Sequence, residues 1–466
     1  MLAFIVTGSL NAWSQRLVPD REMADEFAKV LVQDQKGRTE PLFTLSNDIL
    51  RKVTRENKFQ DLNSMQVFLG VYLDFDHWKD VQMIKVSNRD IQKIIGITGA
   101  YASFSELVDL QTGKYKLAEQ VGEAYSKSPG SRTKADKELM KVDERLNILY
   151  TIYTGGFTRI FPLHDGSLNW GSPEEALKTA LNRDDSVFIA NVIPVLSDAL
   201  RSGNTSTAKQ IAGSVREYQS RFTAYELPSQ SRINAESLYY RMMIFERLFP
   251  FYLAIGILLL AGLIVMVVNG RKSPLLFTRI LSWILFAGFL FHTFGLGLRW
   301  YISGHSPMSN GYESMIFISW VTLLAGFIFS RRSLFALPAT AVLSGLTLLV
   351  AHLSFMDPEI TNLVPVLQSY WLTLHVSVIT ASYGFLGLGA ILAIITMILL
   401  SLSGKSNLER ISATIDDLTV INYKSLTIGL YLLTTGTFLG AVWANESWGR
   451  YWGWDPKETW SLITII

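Results

Sequence analysis

The chain has 466 residues, 49% of them hydrophobic, a mean hydropathy of +0.24 and a net charge of only +2, which leaves no electrostatic footprint for a nucleic-acid partner. It contains no cysteine, so a disulfide framework, an all-cysteine zinc site and thioredoxin-like chemistry carried by this chain are excluded. It has no GxxxxGK(S/T) and no HExxH among its six scattered histidines, which argues against nucleotide hydrolysis and zinc proteolysis.

Residues 1–16 open with MLAFIVTGSL, apolar but short of the ~20 residues that a bilayer crossing needs. No basic residue precedes this run, so it makes a weak signal peptide, and the expectation is the end of a span lying upstream. Residues 17–246 read as a water-soluble, mostly helical domain. Ile211, Val215, Tyr218, Phe222 and Tyr225 recur at four- and three-residue steps, as do Leu139, Val142, Leu146, Leu149 and Tyr153, and each set predicts one buried helix face. SPGSRTK (Ser128 to Lys134) and RSGNTST (Arg201 to Thr207) read as loops. No repeat and no catalytic constellation occurs here, and His77 and His164 read as surface or structural.

Residues 247–466 change character. Apolar runs long enough to cross a membrane appear at about 249–269, 280–300, 314–330, 334–355, 371–402 and 426–444. Basic residues fall in GRKS, RRS and the Lys405–Lys424 segment, whereas YISGHSPMSNGYES and MDPEITNLVPVLQSY have none. Positive-inside parity then puts the soluble domain and residues 445–460 on the outer side. The expected fold class is a polytopic α-helical membrane protein with a large, mostly helical extracytoplasmic N-terminal domain, carrying six spans and the start of a seventh. That last run, TWSLITII, ends after eight residues, so the chain is expected to continue past Ile466.

The segment WGRYWGWDPKETW holds four tryptophans in thirteen residues, interleaved with Arg450, Asp455, Lys457 and Glu458. An interfacial aromatic belt accounts for one or two tryptophans; a dense cluster broken by charges fits a flat ligand with an apolar face and a charged edge. Haem is such a ligand: its macrocycle stacks on indoles, its propionates pair with Arg450 and Lys457, and its iron takes imidazoles. His375 begins a span four residues after Trp371, and an ionisable residue within a membrane is a functional candidate by default. The alternative, a histidine bonded to a nearby carbonyl, stays open on spacing alone.

At these residues the chain resembles the haem-handling proteins of cytochrome c biogenesis, whose signature is the tryptophan-rich WWD segment. AVWANESWGRYWGWDPKETW is similar to the CcsA branch of the system II pathway, as are RWYISGHSPMSNGYESMIF (Arg299 to Phe317) and LVPVLQSYWLTLHVSV (Leu363 to Val378). The resemblance covers about 280–466, and the position of the soluble half resembles the outer domain of CcsB–CcsA fusion proteins. It implies haem b as substrate, apocytochrome c and a CcsB-type partner or fused half as partners, and a bacterial inner-membrane setting with soluble domain and WWD segment on the periplasmic side. It also implies that the WWD segment holds haem between two outer histidines, the first of which maps onto His375 as an axial ligand of the iron; the second would lie past Ile466. The platform residues are then Trp448, Trp452 and Trp454, with Trp443 and Trp460 at the membrane boundary. His305 is a candidate for touching a propionate or capping a helix. Arg299 would snorkel or meet a propionate, and His292 and His352 sit within spans, the latter satisfied by a neighbouring helix.

In the implied reaction two cysteine thiols of a CxxCH peptide add across the vinyl groups of haem, so the thiols belong to the substrate. No general-base dyad is present, and Asp455 and Glu458 read as partners of Lys457 and Arg450; catalysis would rest on positioning. Holocytochrome c synthase activity is expected only together with the CcsB-like and C-terminal parts. Two other readings are a haem carrier that makes no bond, and a structural membrane subunit whose tryptophans form only a belt.

Overall fold

The structure is a computed structural model that describes residues 17–270, 275–353, 356–363, 367–405 and 407–466; the expected apolar segment at 1–16 lies outside them. Two compact units divide at Tyr240 and Arg241.

The first unit is helical with three two-stranded antiparallel sheets among its described residues. One pairs β1 (Leu31–Gln33) with β2 (Thr39–Pro41), Val32 opposite Glu40. Its longer helices are α1 (Leu42–Thr54), α2 (Ser64–Leu73), α3 (Lys134–Tyr153), α4 (Arg183–Ser202) and α5 (Thr205–Phe222). On α3, Leu139, Val142, Leu146 and Leu149 are buried as their spacing predicts, and Tyr153 meets Phe75 edge-on with ring centroids 4.7 Å apart. On α5 the expected face ends early. The helix stops at Phe222, Thr223 turns its hydroxyl back to the Gln219 carbonyl, and Tyr225 lies beyond, its hydroxyl 2.6 Å from that of Thr39. RSGNTST is a tight link rather than an open loop: Gly203 closes α4 in the left-handed region and Asn204 caps α5.

The second unit consists of seven helices among the described residues: α6 (Ile244–Asn269), α7 (Leu275–Ser303), α8 (Gly311–Phe329), α9 (Ala336–His352), α10 (Tyr370–Ser401), α11 (Leu408–Trp448) and α12 (Pro456–Ile465). Among the described residues five helices are long and apolar enough to cross a membrane, and α9 is apolar but only 17 residues long. The protein is a polytopic helical membrane protein. One expectation is corrected. Most of the Lys405–Lys424 segment is no connecting loop, because α11 begins at Leu408 and runs unbroken for 41 residues. Its charges had masked a buried stripe of Ile411, Leu418 and Ile421, which repeats at helical spacing.

Small residues set how closely these helices approach, as expected where lipid supplies no hydrophobic drive between them. Ser319 on α8 and Ser344 on α9 each donate to the other's carbonyl, at 3.0 and 2.9 Å. Helices α10 and α11 pack antiparallel. A Cβ added at Gly429, Gly436 or Gly440 of α11 would fall 2.8 Å from Leu386, 3.1 Å from Ile379 and 2.6 Å from His375 respectively.

Candidate functional site

His375 lies one turn into α10, half-buried against α11. Its Nδ1 is 2.7 Å from the carbonyl oxygen of Gly436. A carbonyl only accepts, so Nδ1 carries the hydrogen, and in the neutral ring Nε2 is left with its lone pair. The ring packs against Gly440, the one residue type that leaves room for it there. A histidine whose far nitrogen is held by a backbone carbonyl is oriented as metal-ligating histidines generally are. Gly436, Gly440 and Trp443 follow at four- and three-residue steps, so the histidine face of α11 leads toward the tryptophans. At 1.5 Å per residue Trp448 stands about 12 Å farther along the axis than Gly440.

The tryptophan segment is a tight helix-to-helix corner. Gly449 ends α11 in the left-handed region, with its N–H on the Asn445 carbonyl at 2.8 Å. Asp455 caps α12, Pro456 fills its first position, and Glu458 completes a capping box. The Glu458 carboxylate also accepts from the Gly453 N–H at 2.7 Å, which closes the corner internally. Between the two caps Trp454 adopts φ 55°, a conformation that a bulky residue rarely takes. Trp443 packs edge-on against Trp448 at 4.7 Å, and Trp452 against Trp454 at 5.8 Å. Trp448 and Trp454 remain 56% and 71% exposed, so they present aromatic faces outward from the corner. The indole N–H groups of Trp443 and Trp452 are shielded from solvent and have no hydrogen-bond partner among the described residues, which makes them unused donors beside those faces.

The charged residues divide. Arg450 and Lys457 are exposed, with the guanidinium of Arg450 lying over Gly453. Asp455 and Glu458 do not form the expected ion pairs with them among the described residues: backbone N–H groups of the corner and of the first turn of α12 take both carboxylates. Helix α12 packs beside α11, where the Ser461 and Thr437 hydroxyls are 2.5 Å apart.

Arg299 and His305 belong to a separate network. Arg299 is fully buried; its Nε donates to Glu313 at 2.6 Å, and its two terminal nitrogens donate to the carbonyls of Pro358 and Glu359 at 2.8 and 2.9 Å. Glu313 in turn accepts from the Ser309 N–H and hydroxyl at 2.7 and 2.6 Å. The ring nitrogens of His305 face the carbonyls of Ser306 and Thr361 at 3.0 and 3.2 Å. Together they pin residues 303–310 to residues 356–363. The network meets α10 where Ser377 donates to the sulfur of Met308 at 2.9 Å. His292 is also fully engaged, its Nε2 3.1 Å from the Ile316 carbonyl and its Nδ1 3.4 Å from the Tyr252 hydroxyl. His352 stacks on Phe249. In the first unit, His77 bonds Asp74 and His164 bonds the Tyr218 hydroxyl.

Among the described residues no group of three or more His, Asp or Glu side chains is placed to hold a bare metal ion. What the described residues offer a ligand is one imidazole held by a carbonyl, exposed indole faces and two unpartnered indole N–H groups. Sequence reasoning missed Gly436 and Gly440, which seat the imidazole, and Glu313, which anchors Arg299. The four-residue glycine spacing was the available signal.

Residues 308–466 match the model of the family described as cytochrome C assembly protein. The chain is 41% identical to protein NrfI of Wolinella succinogenes over 452 residues, which cover 96% of this chain and 49% of that protein. It is 37% identical to the cytochrome c biogenesis protein CcsA of Guillardia theta over 197 residues, 37% of this chain and 64% of that protein. The corresponding protein of Chlamydomonas reinhardtii is 39% identical over 178 residues, 36% of this chain and 50% of that protein. The chain thus spans about half the length of NrfI and less than two thirds of these CcsA relatives.

Proposed function

The chain belongs to the cytochrome c assembly family, and we propose that within it the chain holds haem at the outer membrane face for covalent attachment to apocytochrome c. Haem is the substrate. His375 Nε2 binds the iron on one side, Trp448, Trp452 and Trp454 support the macrocycle, and Arg450 and Lys457 face the propionates. The observation that carries this reading is the 2.7 Å contact of His375 Nδ1 with the Gly436 carbonyl, which commits Nδ1 as a donor and leaves Nε2 available to a ligand.

The chemistry asks little of the protein beyond position. Each of two thiols of a CxxCH peptide adds across a vinyl group: sulfur bonds to one vinyl carbon and the thiol hydrogen ends on the other. No redox change or acid–base dyad from this chain is required, and the missing cysteines keep the carrier out of mixed disulfides with its substrate. The chain's residues orient the haem, expose its vinyl edge, and hold an axial bond that the peptide's histidine displaces. A CcsB-type half, fused or separate, would complete the synthase. The basic residues of the α6–α7, α8–α9 and α10–α11 connections support a cytoplasmic side for those connections in a bacterial inner membrane, and an outer side for the tryptophan corner and for the soluble domain.

The test is a visible absorption spectrum of the full chain purified in detergent, beside its His375→Gly variant. The expected result is a Soret band that is lost or shifted in the variant and restored by added imidazole. A folded, intact preparation without haem would overturn the reading and return the tryptophans to a membrane belt.

A further inference from the structure

At the end of the second unit away from His375, the C-terminal halves of α6 and α8 and the first turns of α7 and α9 enclose a cavity of about 620 Å³. That volume lies in the range of ligand pockets. Its floor is Leu259 and Leu263, both buried. Leu259 is about 15 Å along the α6 axis from Asn269, at 1.5 Å per residue. Phe286 and Phe327 wall it, and Trp283, 70% exposed, lines it from α7. The rim holds two exposed guanidinium groups, Arg279 and Arg331, with the Ser282 and Ser330 hydroxyls nearby. The chain has no Asp or Glu at 248–312 or 314–356, so the four lining helices offer these arginines no counter-charge beyond Glu246 and Glu313 toward the other end.

We propose that this cavity binds an anionic phospholipid. Arg279 and Arg331 hold the phosphate from α7 and from the α8–α9 connection, and an acyl chain runs down past Phe286 to Leu263. Guanidinium forks match phosphate oxygens in geometry as well as charge, and a pair at the membrane surface is the usual form of a lipid-headgroup pocket. The apolar floor and walls select a lipid over free phosphate, which gains nothing from them. No imidazole lines the cavity, so nothing there holds a haem iron. A bound lipid would bridge α7 to α8 and α9 and stabilise that end of the bundle by mass action.

The experiment uses the full chain, delipidated in mild detergent and mixed with equal amounts of phosphatidylglycerol and phosphatidylcholine of identical acyl chains. Native mass spectrometry then reads which adducts survive. The wild type should retain phosphatidylglycerol over phosphatidylcholine by ~10-fold, and the double variant Arg279→Gln, Arg331→Gln should retain the two equally. Arg279→Lys with Arg331→Lys, which keeps both charges, should show an intermediate preference. Leu263→Trp, which fills the floor, should lower retention of both lipids while the arginines remain. Equal retention by the wild type, or a preference unchanged in the glutamine variant, would overturn the proposal. Complete displacement of the lipid by inorganic phosphate would also overturn it, since a headgroup site without an acyl chain would then suffice.

Discussion

His375 on α10 and Gly440 on α11 occupy one space: a methyl group at Gly440 would fall 2.6 Å from the imidazole Cε1 and 2.7 Å from Nδ1. The glycine is therefore part of the imidazole's seat. Gly440→Ala is expected to push the ring off the Gly436 carbonyl and lower haem retention several-fold, and Gly440→Leu to abolish it. Unlike His375→Gly, neither should be rescued by imidazole, because the added atoms fill the space the imidazole would enter. The overpacking should cost about 1–3 kcal/mol. Haem content per protein, measured with and without imidazole, separates the two classes of variant.

Arg299 and Glu313 form an ion pair with side chains 0% and 1% exposed. Removing one partner leaves the other charge buried, at a cost of about 3–5 kcal/mol. Arg299→Ala also strands the carbonyls of Pro358 and Glu359, so it should destabilise the chain more than Glu313→Gln, which keeps a hydrogen-bonding group. Thermal unfolding followed by circular dichroism in detergent checks the order. A purified Arg299→Ala protein with wild-type stability but no haem would restore the propionate role for this arginine.

Much of this architecture is legible in composition. Apolar runs near twenty residues announce α6 to α10, and the density of indoles in WGRYWGWDPKETW announces the corner. What escaped depends on register or partner. Gly436 and Gly440 matter only because α10 crosses α11 at that height, which no single-helix pattern reveals. Arg299 and Glu313 are fourteen positions apart, joined by a loop that folds back. Asp455 and Glu458 were readable and were misread: an Asp, a Pro and a Glu three residues after the Asp spell a helix start, and that signal outranks ion pairing between exposed side chains. The charges of 405–424 hid a helical stripe for the opposite reason, since polarity was taken for a loop.

In the first unit, Asp136 gives a pH dependence of known sign. The hydrogen bond from Lys127 Nζ at 2.7 Å, joined by the Thr133 N–H and hydroxyl, holds its carboxyl down to about 2 from an ordinary 3.8. The folded value is the lower one, so the stabilisation is full above pH 3.8 and is lost as pH falls through about 2. Asp136→Asn should remove that contribution at neutral pH and flatten the acid limb over the same window. Unfolding midpoints of the full chain at a series of pH values, wild type against variant, measure it.

Trp454 sets backbone comfort against surface. At φ 55° it occupies a conformation that costs a non-glycine residue about 1–2 kcal/mol, and the corner holds it there between Gly453, pinned to Glu458, and the Asp455 cap. Trp454→Gly should therefore relax the corner and raise the unfolding midpoint slightly, while removing an indole that is 71% exposed. If the indole is a platform, that more stable variant should retain less haem than wild type, and Trp454→Phe, which keeps a ring in the same strained position, should fall between them. If it is a belt residue, haem content should follow stability in all three proteins. The sign of the change in Trp454→Gly decides, because strain relief and loss of a ligand surface push the two readouts in opposite directions.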